Sequence, residues 1–232
     1  MKKNEFATFI AYIGMFAIAI LVGIFVVGKT ITANQQDLNG LPAPLLIILA
    51  IALGILLNAL IIEQAHLVGA KAGGYKILSW TCLGLSFKRN KEEKFKFSFS
   101  QFEGLTGETK VYPTDVEKNS MRASIVFPLL CFLLEVIVCV VLISLSKGRN
   151  TILYIFSVID LAIGGMIYLY NYFPARLDAE TDGYRLVLLN KPVNKLAYNE
   201  MLLAQYKVSR GIPVGEGKVY EEVTEFTAQF NL

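Results

Sequence analysis

Six side chains stand out as candidates for chemistry because of where they fall in an unusually apolar chain. Glu63 and His66 are three residues apart at the end of the run Leu60-Ile61-Ile62, and His66 is the only histidine in the sequence. On a helix that spacing projects both side chains to one face. Glu135 and Asp160 each interrupt a long hydrocarbon stretch near its middle, with Asn171 near the end of the second of these stretches. Asp182 follows in Thr181-Asp182-Gly183, which reads as a turn. Carboxyl groups inside apolar helices mark ion or proton paths, or serve as hydrogen-bonding groups between helices. Glu63, His66 and Asp182 form a shared polar site if the helices that carry them pack together. Taken singly, Glu63 and His66 are ordinary residues for a helix leaving a membrane, and Asp-Gly is an ordinary turn dipeptide.

The elements that must position these residues are membrane helices. Of 232 residues, 54% are hydrophobic and 18% charged, and the mean hydropathy of +0.51 exceeds that of an ordinary soluble domain. The apolar residues are gathered into blocks: Phe6–Gly28, Leu41–Ile62, Ser124–Ser146 and Thr151–Phe173. Each reaches the roughly 20 residues that span a hydrocarbon core. The first block is longer than a signal-peptide core and lacks a good cleavage site, so it reads as a retained helix. Lys147-Gly148-Arg149-Asn150 is a tight turn between the last two. Apart from Lys29, Lys147 and Arg149, every lysine and arginine lies in the N-terminus, in 63–123 or after Pro174. The positive-inside rule then expects those three segments, and both chain ends, in the cytoplasm.

The net charge of +3 gives no argument for nucleic acid as a partner. Cys82, Cys131 and Cys139 have no CxxC spacing, so neither a disulfide framework nor a cysteine-based zinc site is expected.

Between the second and third blocks, Tyr75–Trp80, Leu83–Phe87 and the strictly alternating Lys94–Ser100 predict a small antiparallel sheet at the membrane surface, with a turn at Lys88–Glu93. Leu196–Arg210 is rich in helix formers and predicts a cytoplasmic helix ended by Gly211, and the last twenty residues read as loosely ordered. The expected organisation is an N-terminal membrane helix and short external loop (1–40), a membrane core (41–175) with a cytoplasmic β insertion at 71–122, and a tail (176–232).

Taken in order, these segments resemble the site-2 protease family of intramembrane zinc metalloproteases, in particular its short bacterial branch. Ile62-Glu63-Gln64-Ala65-His66 stands where that family carries His-Glu-x-x-His at the cytoplasmic end of a membrane helix. Gly69, Lys71, Gly74-Tyr75-Lys76 and Ser79 resemble its continuation into a membrane-surface sheet. Asn171-Tyr172-Phe173-Pro174 with Asp182-Gly183-Tyr184 resembles its second motif. Gly104–Gly107 and the helix Ala197–Gly211 complete a resemblance covering roughly 40–211. It implies an α-helical polytopic membrane protein with about four transmembrane helices, a small membrane-surface β-sheet and a site-2-protease-like core. It implies His66 and Asp182 as zinc ligands and Glu63 as general base.

Ile62 departs from that pattern. A hydrocarbon side chain has no lone pair to offer, and a catalytic zinc ordinarily takes three protein ligands plus water. Loss of one ligand costs several kcal/mol out of a binding free energy on the order of 10 kcal/mol. His66 and Asp182 are therefore expected as a vestigial or weak pair and Glu63 as a vestigial base. No cofactor is expected, with zinc expected only if the site works. The resemblance and the departure together imply a pseudoprotease that binds a membrane protein or transmembrane helix client. Two alternatives stay open: an active protease whose Glu63 has become a ligand, as Glu-x-x-His pairs do in some helical bundles, and an accessory subunit of a transporter, motivated by Glu135 and Asp160.

Overall fold

The computed structural model describes residues 3–33, 42–90, 94–99, 107–177 and 180–214. The turn residues Lys91–Glu93, the Gly104–Thr106 part of the resemblance, the loop at 34–41 and the C-terminal stretch from 215 lie outside the described residues. The chain divides into two compact units, residues 1–61 with 129–184 and residues 62–128 with 185–232.

Among the described residues, four helical segments are long and apolar enough to cross a bilayer: Glu5–Thr32, Ala43–Ala72, Arg122–Ser146 and Thr151–Asn171. The chain is thus read as a multi-pass membrane protein. The first segment is α1 (Lys3–Ile20), a π-helical stretch Leu21–Gly28 and α2 (Lys29–Ala33). Next come α3 (Ala43–Ala72), α4 (Arg122–Ser146) and α5 (Thr151–Asn171). With 30 residues, α3 runs beyond the roughly 20 that a hydrocarbon core requires. It carries Glu63 and His66 on unbroken helix.

In the first unit, Val27, Ile31, Leu46, Ala50, Ile155, Val158, Ile159 and Ile163 form one buried cluster. Large apolar side chains also point outward: Phe16 is 68% exposed, Ile48 62% and Leu134 62%. Water would not tolerate so many, whereas lipid tails are as apolar as these side chains. Asn150 caps α5, its side chain accepting from Leu153 N at 3.0 Å, and so ends the turn from α4.

The second unit holds an antiparallel sheet in the order β3-β2-β1-β4, with β1 Tyr75–Cys82, β2 Leu85–Arg89, β3 Phe95–Phe99 and β4 Glu108–Pro113. The three predicted strands are present, and β4 adds a fourth that the sequence reading did not pick out. The alternation in β3 sets the register, with Phe99 opposite Leu85, Phe97 opposite Phe87 and Phe95 opposite Arg89. One face thereby collects an aromatic ladder from Trp80 through Phe87 and Phe97 to Phe99, ring centroids 5.0–5.6 Å apart. All of β3 is exposed, and Phe99 reaches 81%.

The helix α7 spans Pro192–Arg210, with Pro192 in its first turn and Gly211 in the left-handed conformation (φ 69°) as its cap. It is tied to the sheet by the stack of Tyr206 on Tyr112, centroids 3.7 Å apart. Buried Asn199 strengthens the tie. Its Oδ1 accepts from the Tyr75 hydroxyl, and its Nδ2 donates to Val116 O (2.8 Å) and Asn119 O (3.0 Å). Burial and the nearby Tyr198 hold the Tyr75 phenol far above its ordinary range.

Candidate functional site

Glu63 and His66 sit in the last part of α3, within the second unit, four and one residues after Ala59 and Ala65 respectively in a continuous helix. Pro128, inside α4, decides how His66 is held. Proline has no N–H, so the carbonyl four residues earlier, that of Ser124, loses its usual helical donor. The Nδ1 of His66 fills that role at 3.0 Å, and Ser124 Oγ donates back to the His66 carbonyl at 3.0 Å. Because a carbonyl only accepts, Nδ1 carries a proton, and in the neutral form of the ring Nε2 is then the acceptor nitrogen. Metal-binding histidines are oriented in just this way.

Glu63 is buried, and its Oε2 accepts from the Thr109 hydroxyl of β4 at 3.3 Å. The chain just before β4 presses on it: a Cβ on Gly107 would come within 2.4 Å of Glu63 Cγ and 2.5 Å of the Thr81 carbonyl. The Cys82 thiol at the end of β1 is pushed up, first by burial and then by the negative charge of Glu63.

Asp182 belongs to the first unit and is not in a turn. It opens the short helix α6 (Asp182–Leu188), with Thr181 as cap, its hydroxyl accepting from Tyr184 N at 3.1 Å. The competing signal was that capping threonine, which the Asp-Gly dipeptide masked. The structure brings Asn171 and Asp182 together. Asn171 Nδ2 donates to Asp182 Oδ2 at 2.7 Å, and Asn171 Oδ1 accepts from Asp182 N at 3.4 Å. Burial and then the Asp182 charge hold the Tyr172 phenol far above its ordinary range.

Among the described residues, no group of three or more His, Cys, Asp or Glu is placed to hold a metal ion. Of the residues named from sequence as ligands, His66 and Asp182 each have an orienting hydrogen bond within their own unit, and Ile62 offers no donor atom.

The other polar residues named from sequence, Glu135 and Asp160, meet inside the first unit around a residue that reading missed. Asn58 of α3 donates through Nδ2 to Gly54 O (3.0 Å) and to Asp160 Oδ1 (3.2 Å). Cys139 of α4 donates its thiol proton to Asp160 Oδ2 at 3.7 Å. The available signal was a lone amide in Gly54-Ile55-Leu56-Leu57-Asn58, a polar group at membrane depth that needs a partner.

Comparison with known proteins gives no match to a family model, to a curated protein or to a solved structure.

Proposed function

We propose that the chain is a site-2-protease-like protein of the bacterial cell membrane that has lost peptide hydrolysis. In this reading it retains a membrane protein or transmembrane helix as client, with both termini in the cytoplasm. The observation that carries this reading is Ile62. It occupies the ligand position next to Glu63 and one helical turn before His66, on a helix that is otherwise continuous there. Three further features support it. His66 has the oriented tautomer of a ligand. Asp182 is held by Asn171, so the two halves of the second motif act together. Glu63 is packed under Gly107 and engaged by Thr109, which suits a relic better than a base that must face a water. The edge strand β3, whose outer side pairs with no other strand among the described residues and whose phenylalanines are exposed, offers an extended client segment a place to pair.

The test is metal content and cleavage together. Purified wild-type chain should carry far less than one zinc per molecule and leave single-pass helices uncut. Ile62→His should take up zinc, and adding His66→Ala to it should abolish that uptake. Near-stoichiometric zinc in the wild type, lost on His66→Ala, together with cleavage that a chelator stops, would overturn the reading in favour of an active protease.

A further inference from the structure

The two faces of the sheet differ, and the pairing shows how. Thr109 stands opposite Trp80, Trp80 opposite Phe87 and Phe87 opposite Phe97, so these four side chains form one row on one face. Lys88 opposite Lys96 and Ser86 opposite Ser98 lie on the other face. At its Thr109 end the first face is packed against α3. The Thr109 hydroxyl donates to Glu63 Oε2, and Val111, two residues along β4, is buried with Ala70. Beyond β1 the same face turns Leu85, Phe87, Phe95, Phe97 and Phe99 outward, with Phe95 49% and Phe97 52% exposed. A continuous surface of five large apolar side chains is costly to leave in water and marks a place of interaction.

The position of α3 identifies what covers this surface. The roughly 20 residues that cross a hydrocarbon core, counted from Ala43, reach Ile62, so Glu63 stands where α3 leaves the lipid tails. Phe97 is three strand spacings from Thr109 along the row, about 14 Å across the sheet. A helix with its side chains is about 10–12 Å across. The exposed phenylalanines are thus carried past the flank of α3 at the point where lipid surrounds it. Charge agrees with this placement. Residues 85–99 hold five lysines and arginines against two glutamates. Lys88 and Lys96 face each other directly, and among the described residues neither has an acid partner. Like charges so placed repel unless anions lie close by, and phospholipid headgroups supply them. One apolar face and one lysine-bearing face is the pattern by which amphipathic helices lie in the plane of a membrane interface. Here a sheet carries it.

We propose that the β2–β3 hairpin is an additional, non-spanning membrane anchor, with its aromatic face seated at the acyl boundary beside α3 and its lysine face among headgroup phosphates. The partner is the phospholipid of the bilayer itself. This goes beyond the client reading, which uses the outer edge of β3 and not this face.

Tryptophan fluorescence of the full chain in proteoliposomes tests it, since Trp80 is the only native tryptophan. One quencher is phospholipid carrying bromine high on the acyl chain, and the other is iodide in the buffer on both sides of the membrane. Phe99→Trp and Ser98→Trp, each made in wild type and in Trp80→Phe, put a probe on either face of β3 one residue apart. Both positions are exposed, so an added ring is accommodated. Phe99→Trp should emit to the blue of Ser98→Trp, lose emission to bromine and be shielded from iodide. Ser98→Trp should lose emission to iodide and much less to bromine. With Trp80 in place the difference between the two variants reads the same contrast, so the test stands even if Trp80→Phe fails to fold. Loss of Phe99→Trp emission to iodide with indifference to bromine overturns the proposal, as does equal loss to bromine at both positions. Shielding of Phe99→Trp from both quenchers overturns it in favour of a protein covering the face.

Discussion

The polar group at the end of α3 and the polar cluster around Asn58 handle their hydrogen bonds in opposite ways. At the end of α3, matched partners are in place: His66 with the Ser124 carbonyl that Pro128 releases, and Glu63 with Thr109. Around Asn58, the Asp160 half is equally well served, but neither carboxyl oxygen of Glu135 makes a comparably well-formed bond. A saturated arrangement keeps side chains in place and asks for nothing more. One short of well-formed bonds, buried among hydrocarbon, makes a charge there costly. The sole histidine of a chain is thus not automatically its most informative polar residue.

The contrast can be broken most forcefully at Gly164. Gly164→Leu should drive a side chain into Asn58 Oδ1, Glu135 and Phe132 and destabilise the protein by about 3 kcal/mol or more. Gly165→Leu, where nothing lies within 4 Å of the added Cβ, should leave thermal unfolding in detergent nearly unchanged. Equal losses at the two positions would deny any special role to the tight packing at Gly164. Next in size, Asn199→Leu strips a donor from Val116 and Asn119 and an acceptor from Tyr75, and should cost about 1–3 kcal/mol. Amide exchange should rise in β1 and in 114–119 while the first unit keeps its protection.

Asn171→Leu takes the amide from Asp182, and membrane hydrogen bonds of this kind average about 0.6 kcal/mol, up to roughly 1.7. Its thermal midpoint should fall less than that of Asn199→Leu, and a larger fall would mean that Asn171 does more than hold one carboxylate. Pro128→Ala should change stability least and the imidazole most. It restores an N–H that competes for Ser124 O, so the nitrogen NMR signals of His66 should move toward a mixture of tautomers. Finally, Glu63→Gln removes a negative charge from beside Cys82. The thiol, raised by burial and that charge, should drop, leaving more thiolate at a given alkaline pH in the folded protein, read from the ultraviolet absorbance of the thiolate in a pH titration of wild type and variant.

Much of this could be read from residue order alone, because hydrocarbon blocks and period-two alternation are strong local signals. The four spans, the strand at Phe95–Phe99 and the helix ended by Gly211 are of that kind. What escaped depended on partners distant in the chain. Glu108–Pro113 lacks clean alternation and becomes β4 only by pairing with β1. The second apolar run ends at Ile62 and its helix was expected to reach past His66, yet the helix continues as far as Ala72. Asn58 gains its meaning only from Asp160, 102 residues away. Ser124 becomes an acceptor for His66 because of a proline that hydropathy treats as a mere blemish in an apolar run.

The turn at Lys147–Asn150 has a consequence for biosynthesis. It is too short for α4 and α5 to enter the bilayer independently at a distance, so the translocon receives them as a hairpin. Glu135 and Asp160, each a burden for a lone helix in lipid, then arrive as neighbours, with Cys139 already beside Asp160. Insertion of the pair, rather than later folding, becomes the step at which the cell meets the cost of placing two acids in the membrane.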